Sequence, residues 1–93
     1  MEKKLIEVPS RLDSTNAGEF EQLCRNSVGT QAVELELDFR QVAYVSSAGL
    51  RGVLAIGKEL QARGGSVHLL NLAGMVRQIF EISGFLALFP HRP

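Results

Sequence analysis

Two adjacent hydroxyls, Ser46 and Ser47, separate a short apolar segment from a longer periodic one in "DFRQVAYVSSAGLRGVL", residues 38–54. A helix that begins near Ser47 leaves its first backbone N–H groups unpaired and carries about half a positive charge at that end. An anion placed there is stabilised, and phosphate is a usual occupant. A phosphoserine brings between about one and two negative charges and three strong acceptor oxygens. A hydroxyl at this place could therefore switch the electrostatics of a surface patch while leaving the fold intact. The small neighbours Ala48 and Gly49 would let another protein, or a kinase active site, approach closely. The plainer role is structural, with Ser46 or Ser47 capping the helix, since serine is common ahead of an apolar-periodic run. Local chemistry leaves both roles open.

Other chemistry is thinly provided for. Ser47 as a nucleophile would lack the first glycine of Gly-x-Ser-x-Gly. The histidines are His68, inside a strand pattern, and His91, in the terminal "PHRP". With one cysteine widely separated from both, they form no recognisable metal site. Neither an enzyme nor a cofactor or metal is expected. Ten basic and ten acidic residues leave no net charge. Arg25, Arg40, Arg51, Lys58, Arg63, Arg77 and Arg92 are scattered, and Lys3–Lys4 at the terminus is the adjacent basic pair. Direct nucleic-acid binding, which needs clustered cations, is disfavoured.

The 93 residues, 45% of them hydrophobic, suit one globular domain. No stretch approaches the roughly 18 apolar residues of a membrane span, and "MEKKLIEV" lacks the core of a signal peptide. The lone Cys24 fits a reducing compartment, so a cytoplasmic location and no membrane association are expected. A monomer is the expected state.

The elements that must position Ser46 and Ser47 follow from periodicity. Val33, Leu35, Leu37 and Phe39 alternate with Glu34, Glu36 and Asp38, a strand with one apolar face. "LIEVPSRL" (residues 5–12) is a weaker strand, with Pro9 placing it at an edge or bulge. "SVHLLNL" (66–72) is a third strand, "VAYV" (42–45) extends or continues the second, and "LALF" before Pro90 could add a last edge strand. The first helix follows "LDSTN", with Asn16, Asp13 or Ser14 as cap and Ala17, Phe20, Leu23 and Cys24 as its apolar stripe. The second carries Leu50, Val53, Leu54 and Leu60, with Gly57 on the same side suggesting close approach to the sheet, and ends at Gly64–Gly65. The third runs through Met75, Val76, Ile79 and Phe80 to near Gly84, with Met75 and Phe80 expected in the core. Tyr44 is expected to pack with its hydroxyl near a loop. Alternating strands and helices imply an α/β sheet with functional loops at the carboxyl ends of strands, where "RLDSTN" and "YVSSAGL" stand out.

In order and spacing, the alternating strand, "DFRQVAYVSSAGLRGVL", "SRLDSTNAGEFE" and "NLAGMVRQIFEISGFLALF" resemble the STAS domain of anti-sigma factor antagonists, from about Leu5 to Phe89. The resemblance implies a single STAS-like domain over residues 1–93, with a small mixed, mostly parallel sheet of four to five strands and helices mainly on one face. Relatives often continue into a further helix after "LFP", so the domain is either trimmed or built without it. By position, Ser47 falls where the family's phosphorylated serine lies, with Ser46 as second choice. Asp13, Asp38, Gly49 and Leu50 match the family's residues around that serine, and with Ser46 and Ala48 they are the positions the resemblance implies for partner binding. Arg51 and Lys58, one heptad apart, would extend the docking face or form a solvated outer face, and Asp13 has helix capping as an equal alternative. Two positions depart from the pattern: Ser46 stands where many members have aspartate, and Ala48 where they have a second hydroxyl. The resemblance implies partner switching. The unmodified protein binds an anti-sigma factor that is also an ATP-dependent serine kinase, phosphorylation at Ser47 blocks binding, and a phosphatase reverses it. The alternative is a non-switching STAS subunit of an ABC lipid-transport or anion-transporter assembly.

Overall fold

The alternation over 33–38 becomes the central strand. A computed structural model describes residues 1–89 and the backbone of 91–92. In chain order it contains β1 (Glu2–Glu7), β2 (Arg11–Leu12), α1 (Ala17–Val28), β3 (Val33–Asp38) and β4 (Tyr44–Val45). These are followed by α2 (Ser47–Ala62), β5 (Ser66–Leu70), α3 (Gly74–Ile82), a 3-10 turn (Phe85–Ala87) and β6 (His91–Arg92). β1, β3, β5 and β6 form one parallel sheet in that spatial order. Register pairs Ile6 with Leu37 and Leu37 with Leu69, so the apolar rows of neighbouring strands coincide. Val33, Leu35, Leu37, Val67 and Leu69 are buried on this face, while Glu34, Glu36, His68 and Leu70 on the other remain partly exposed. The helices thus cover one face, as the alternation predicts, since charged side chains on the other cannot be desolvated cheaply.

β2 and β4 pair with each other in a separate two-stranded parallel ladder. The expected strand over 5–12 is therefore two strands. Pro9 has no N–H to donate, and beyond it the chain turns from β1 to a different partner. "VAYV" likewise does not continue β3: Val42 N donates to Phe39 O at 3.0 Å in a turn, which redirects the chain toward Ser10 and Leu12. "LALF" is a 3-10 turn instead of a strand, and the last strand lies just beyond it.

The core joins the apolar sheet face to Phe20, Cys24 and Val28 of α1, Val53, Ile56 and Leu60 of α2, and Val76 and Phe80 of α3. Phe80 meets Phe39 and Phe85 edge-on, with centroids 5.3 and 6.2 Å away. Burial pushes the Cys24 thiol up to about 12, which keeps it protonated and unreactive, as a core role requires. Leu23 and Met75, expected in the core, are exposed at 50% and 72%. Each lies one residue off the buried positions of its helix, and helical spacing alone does not resolve that step. α1 and α2 are tied at the surface by Arg25, which reaches Glu59 at 2.8 Å and Glu21 at 3.2 Å. The resulting cross-helix hydrogen bond holds the Glu59 carboxyl below its ordinary value.

Gly57 makes room for a different neighbour from the one expected. A Cβ there would overlap the ring of buried Phe89 rather than the sheet. Alanine is the better helix former by about 1 kcal/mol, yet the overlap outweighs it. Gly57→Ala is expected to lower stability by about 1–2 kcal/mol in urea denaturation. Combined with Phe89→Leu, the loss should be smaller than the sum of the two single losses, because the second change removes the atoms the first one strikes.

Candidate functional site

The β2–β4 ladder carries the serine pair. Arg11 faces Tyr44 and Leu12 faces Val45, and Ser46 N donates to Leu12 O at 2.9 Å. Ser46 has extended backbone, and its Oγ accepts from Gly49 N at 3.2 Å. It is the helix cap, which decides between the two serines. Ser47 is the first residue of α2 and is exposed, and its hydroxyl has no intramolecular hydrogen bond among the described residues.

Gly49 explains how the helix can begin so close to the ladder. A Cβ at this position would lie 2.6 Å from Leu12 O and 3.0 Å from Leu12 Cγ. Gly49 is buried against β2, so it supports the site without forming part of its surface. Ala48 and Leu50 are half-buried, with Leu50 against the core, whereas Arg51 and Lys58 are exposed. Offsets of four and eleven residues from Ser47 place both cations on its face of the helix, Lys58 about three turns along from Ser47.

The "RLDST" turn lies across from this helix start. Asp13 Oδ1 accepts from Thr15 N at 2.9 Å and Thr15 Oγ1 at 2.6 Å, and Arg11 Nη2 lies 3.4 Å from Oδ2. These hydrogen bonds, that from the Thr15 hydroxyl first, hold the Asp13 carboxyl below the ordinary carboxylate value. Asn16 is the residue before α1, but its side chain turns back instead of capping: Oδ1 accepts from Asp13 N and Nδ2 donates to Arg11 O. Neither Asp13 nor Asn16 therefore caps α1 with its side chain; together they fix the turn.

Asp38 is at the carboxyl end of β3, but its carboxylate serves the neighbouring loops. Oδ1 accepts from Asn71 Nδ2 at 2.8 Å and Arg40 N at 2.9 Å, and these bonds, Asn71 first, lower its pKa. No hydrogen bond or ion pair joins Asp38 to Ser46 or Ser47 among the described residues.

The sequence pattern missed Arg11. Its guanidinium lies 5.1 Å from the centroid of the Tyr44 ring, and Tyr44 is 43% exposed instead of packed. Because "VAYV" reads as a continuation of β3, nothing sets Tyr44 beside Arg11 until the β2–β4 pairing is known.

His68 does not create a second centre. Ser66 Oγ and Glu34 Oε1 both meet its Nε2, at 3.0 and 2.9 Å. A serine–histidine–acid relay needs its two partners on opposite ring nitrogens. His91 lies in β6, and its side chain is outside the described residues. No described helix is long and apolar enough to cross a membrane.

The chain belongs to the STAS domain family, whose profile matches residues 3–93. It is 40% identical over 79 residues to BtrV of Bordetella bronchiseptica, a candidate anti-sigma factor antagonist, covering 85% of this chain and 68% of that protein. In fold it is similar to the unphosphorylated form of the anti-sigma factor antagonist SpoIIAA, with TM-score 0.76 and 22% identity over 99% of this chain and 80% of that one. Similarity to the phosphorylated form, from Bacillus, has TM-score 0.75 and 24% identity over 99% and 84% of the respective chains. The murine anion transporter Slc26a9 matches with TM-score 0.80 and 20% identity, over 91% of this chain but 14% of the transporter. At such identities the structural likeness is one of fold, and the expected STAS-like α/β architecture is borne out.

Asp13 and Asp38 have folded-state pKa values below their unfolded ones. Their stabilising contribution is therefore complete above about pH 4 and is lost as pH falls through the folded values. Urea midpoints measured between about pH 6 and 3 should decline, and the Asp13→Asn/Asp38→Asn double variant should show a shallower decline. An equal slope in both proteins would show that these carboxylates do not contribute.

Proposed function

We propose that this protein is an anti-sigma factor antagonist that acts by partner switching. In this account the unmodified surface around Ser47 binds an anti-sigma factor that is also a serine kinase. That kinase transfers the γ-phosphoryl group of ATP to Ser47 Oγ, ADP departs, and the hydroxyl proton passes to a base of the kinase. A separate phosphatase restores the hydroxyl. The observation that carries the proposal is the division of labour between the serines: Ser46 caps α2, which leaves the Ser47 hydroxyl exposed and uncommitted. The 40% identity to BtrV supports the same assignment.

Charge explains the switch. Ala48 and Leu50 offer small and apolar contact beside Ser47, with Arg51 and Lys58 at the rim of the surface. Adding a dianion at its centre forces desolvation of that charge and repulsion against a kinase site that has just held ATP phosphates. Asp13, across the ladder, adds to the negative field. The protein works as a binding module in the cytoplasm, where ATP and the kinase are present, and the chemistry belongs to its partners. The Slc26a9 match favours a second reading, a STAS subunit of a transport assembly, in which Ser47 is never modified.

Incubation with the cognate kinase and ATP should add one phosphate by intact mass. Ser47→Ala should abolish it, while Ser46→Ala should keep it despite losing a helix cap that contributes about 1 kcal/mol. Ser47→Asp should bind the kinase at least tenfold more weakly, about 1.4 kcal/mol. A phosphate mapped to Ser46, or undiminished binding by Ser47→Asp, would refute the mechanism.

A further inference from the structure

Arg11 is the cation of the β2–β4 ladder, level with Tyr44 and so two residues short of Ser46 in register. Its side chain is 67% exposed and is held by two contacts, the Tyr44 ring at 5.1 Å and Asp13 Oδ2 at 3.4 Å. An exposed ion pair of this length and an exposed cation–π contact are both marginal in water. Arg11 meets Asp13 at Oδ2, while Thr15 holds Oδ1 through N and Oγ1, so the carboxylate keeps two hydrogen bonds when the guanidinium leaves.

It is also aimed the right way. Arg11 meets a residue two positions farther along its own chain, so its side chain points toward the carboxyl end of β2. Ser47 follows Tyr44, the register partner of Arg11, by three residues. That is roughly 10 Å in the strand direction, with about 5 Å more between the two strands, a span comparable with the combined reach of an extended arginine and a phosphoserine side chain. A guanidinium fork with a phosphate dianion is among the strongest hydrogen-bonded pairs available at a surface.

We infer that Arg11 is the phosphate-binding side chain of the modified protein: when Ser47 carries phosphate, the guanidinium leaves the Tyr44 ring and pairs with the phosphate oxygens. The inference rests on modification of Ser47 and adds the internal counter-charge that sets how much of the new charge a partner meets.

The test uses the full chain with phosphoserine inserted at position 47 during translation, so that no kinase is needed. The second ionisation of the phosphate, followed by 31P NMR, should lie about half a pH unit lower than in Arg11→Gln, a threefold change in proton affinity, with Arg11→Lys in between. Tyr44 is the sole tyrosine and the chain has no tryptophan, so its fluorescence reports the ring directly. Emission should change on phosphorylation in the native sequence and stay constant in Arg11→Gln. Superimposable titrations for native and Arg11→Gln phosphoproteins would overturn the inference while leaving partner switching untouched. Conversely, failure of every kinase to modify Ser47 would refute that mechanism without altering this measurement.

Discussion

The approach of the α2 start onto the Leu12 carbonyl, with no side chain in between, is the constraint on which the site depends. Gly49 makes that approach possible, and Ser46 N to Leu12 O fixes its register. Once the helix begins there, Ser46 must be the cap and Ser47 the first helical residue. The free backbone N–H groups of the first turn and an uncommitted hydroxyl then share one patch of surface. Any side chain at position 49 would strike the Leu12 carbonyl and force the helix start to shift.

The remainder of the domain holds this junction in place. The four-stranded sheet supplies one apolar face, and α2 rests on it through Val53, Ile56 and Leu60. Arg25 clamps α1 to α2 through Glu59, and Phe89 seats itself at Gly57. The ladder of β2 and β4 is short, two residues in each strand, so its position relies on these larger contacts rather than on its own hydrogen bonds. Rigidity behind the site and a loosely held cation beside it are complementary.

The two acidic residues matched by resemblance differ in what the fold does with them. Asp13 lies in the turn facing the helix start, and its carboxylate is organised by Thr15 within reach of Arg11. Asp38 braces the loops after β3 and β5 through Arg40 and Asn71. Matching acidic positions along a chain says that both follow the carboxyl end of a strand; their hydrogen-bond partners decide which loop each one organises.

Much of this was legible in the amino-acid order. Alternation over residues 33–39 determined the central strand and its single buried face, because period-two burial has no other regular explanation. Helical spacing placed α1, α2 and α3, and the serine pair marked the start of α2. Tertiary structure alone decided that "VAYV" leaves β3 to pair with Arg11–Leu12, that Gly57 accommodates Phe89, that Leu23 and Met75 face solvent, and that Ser46 rather than Ser47 is the cap. The physical reason is common to all four. Periodicity records which residues prefer to be buried, whereas strand partnership, close approach and the choice between adjacent hydroxyls depend on contacts between segments far apart in the chain.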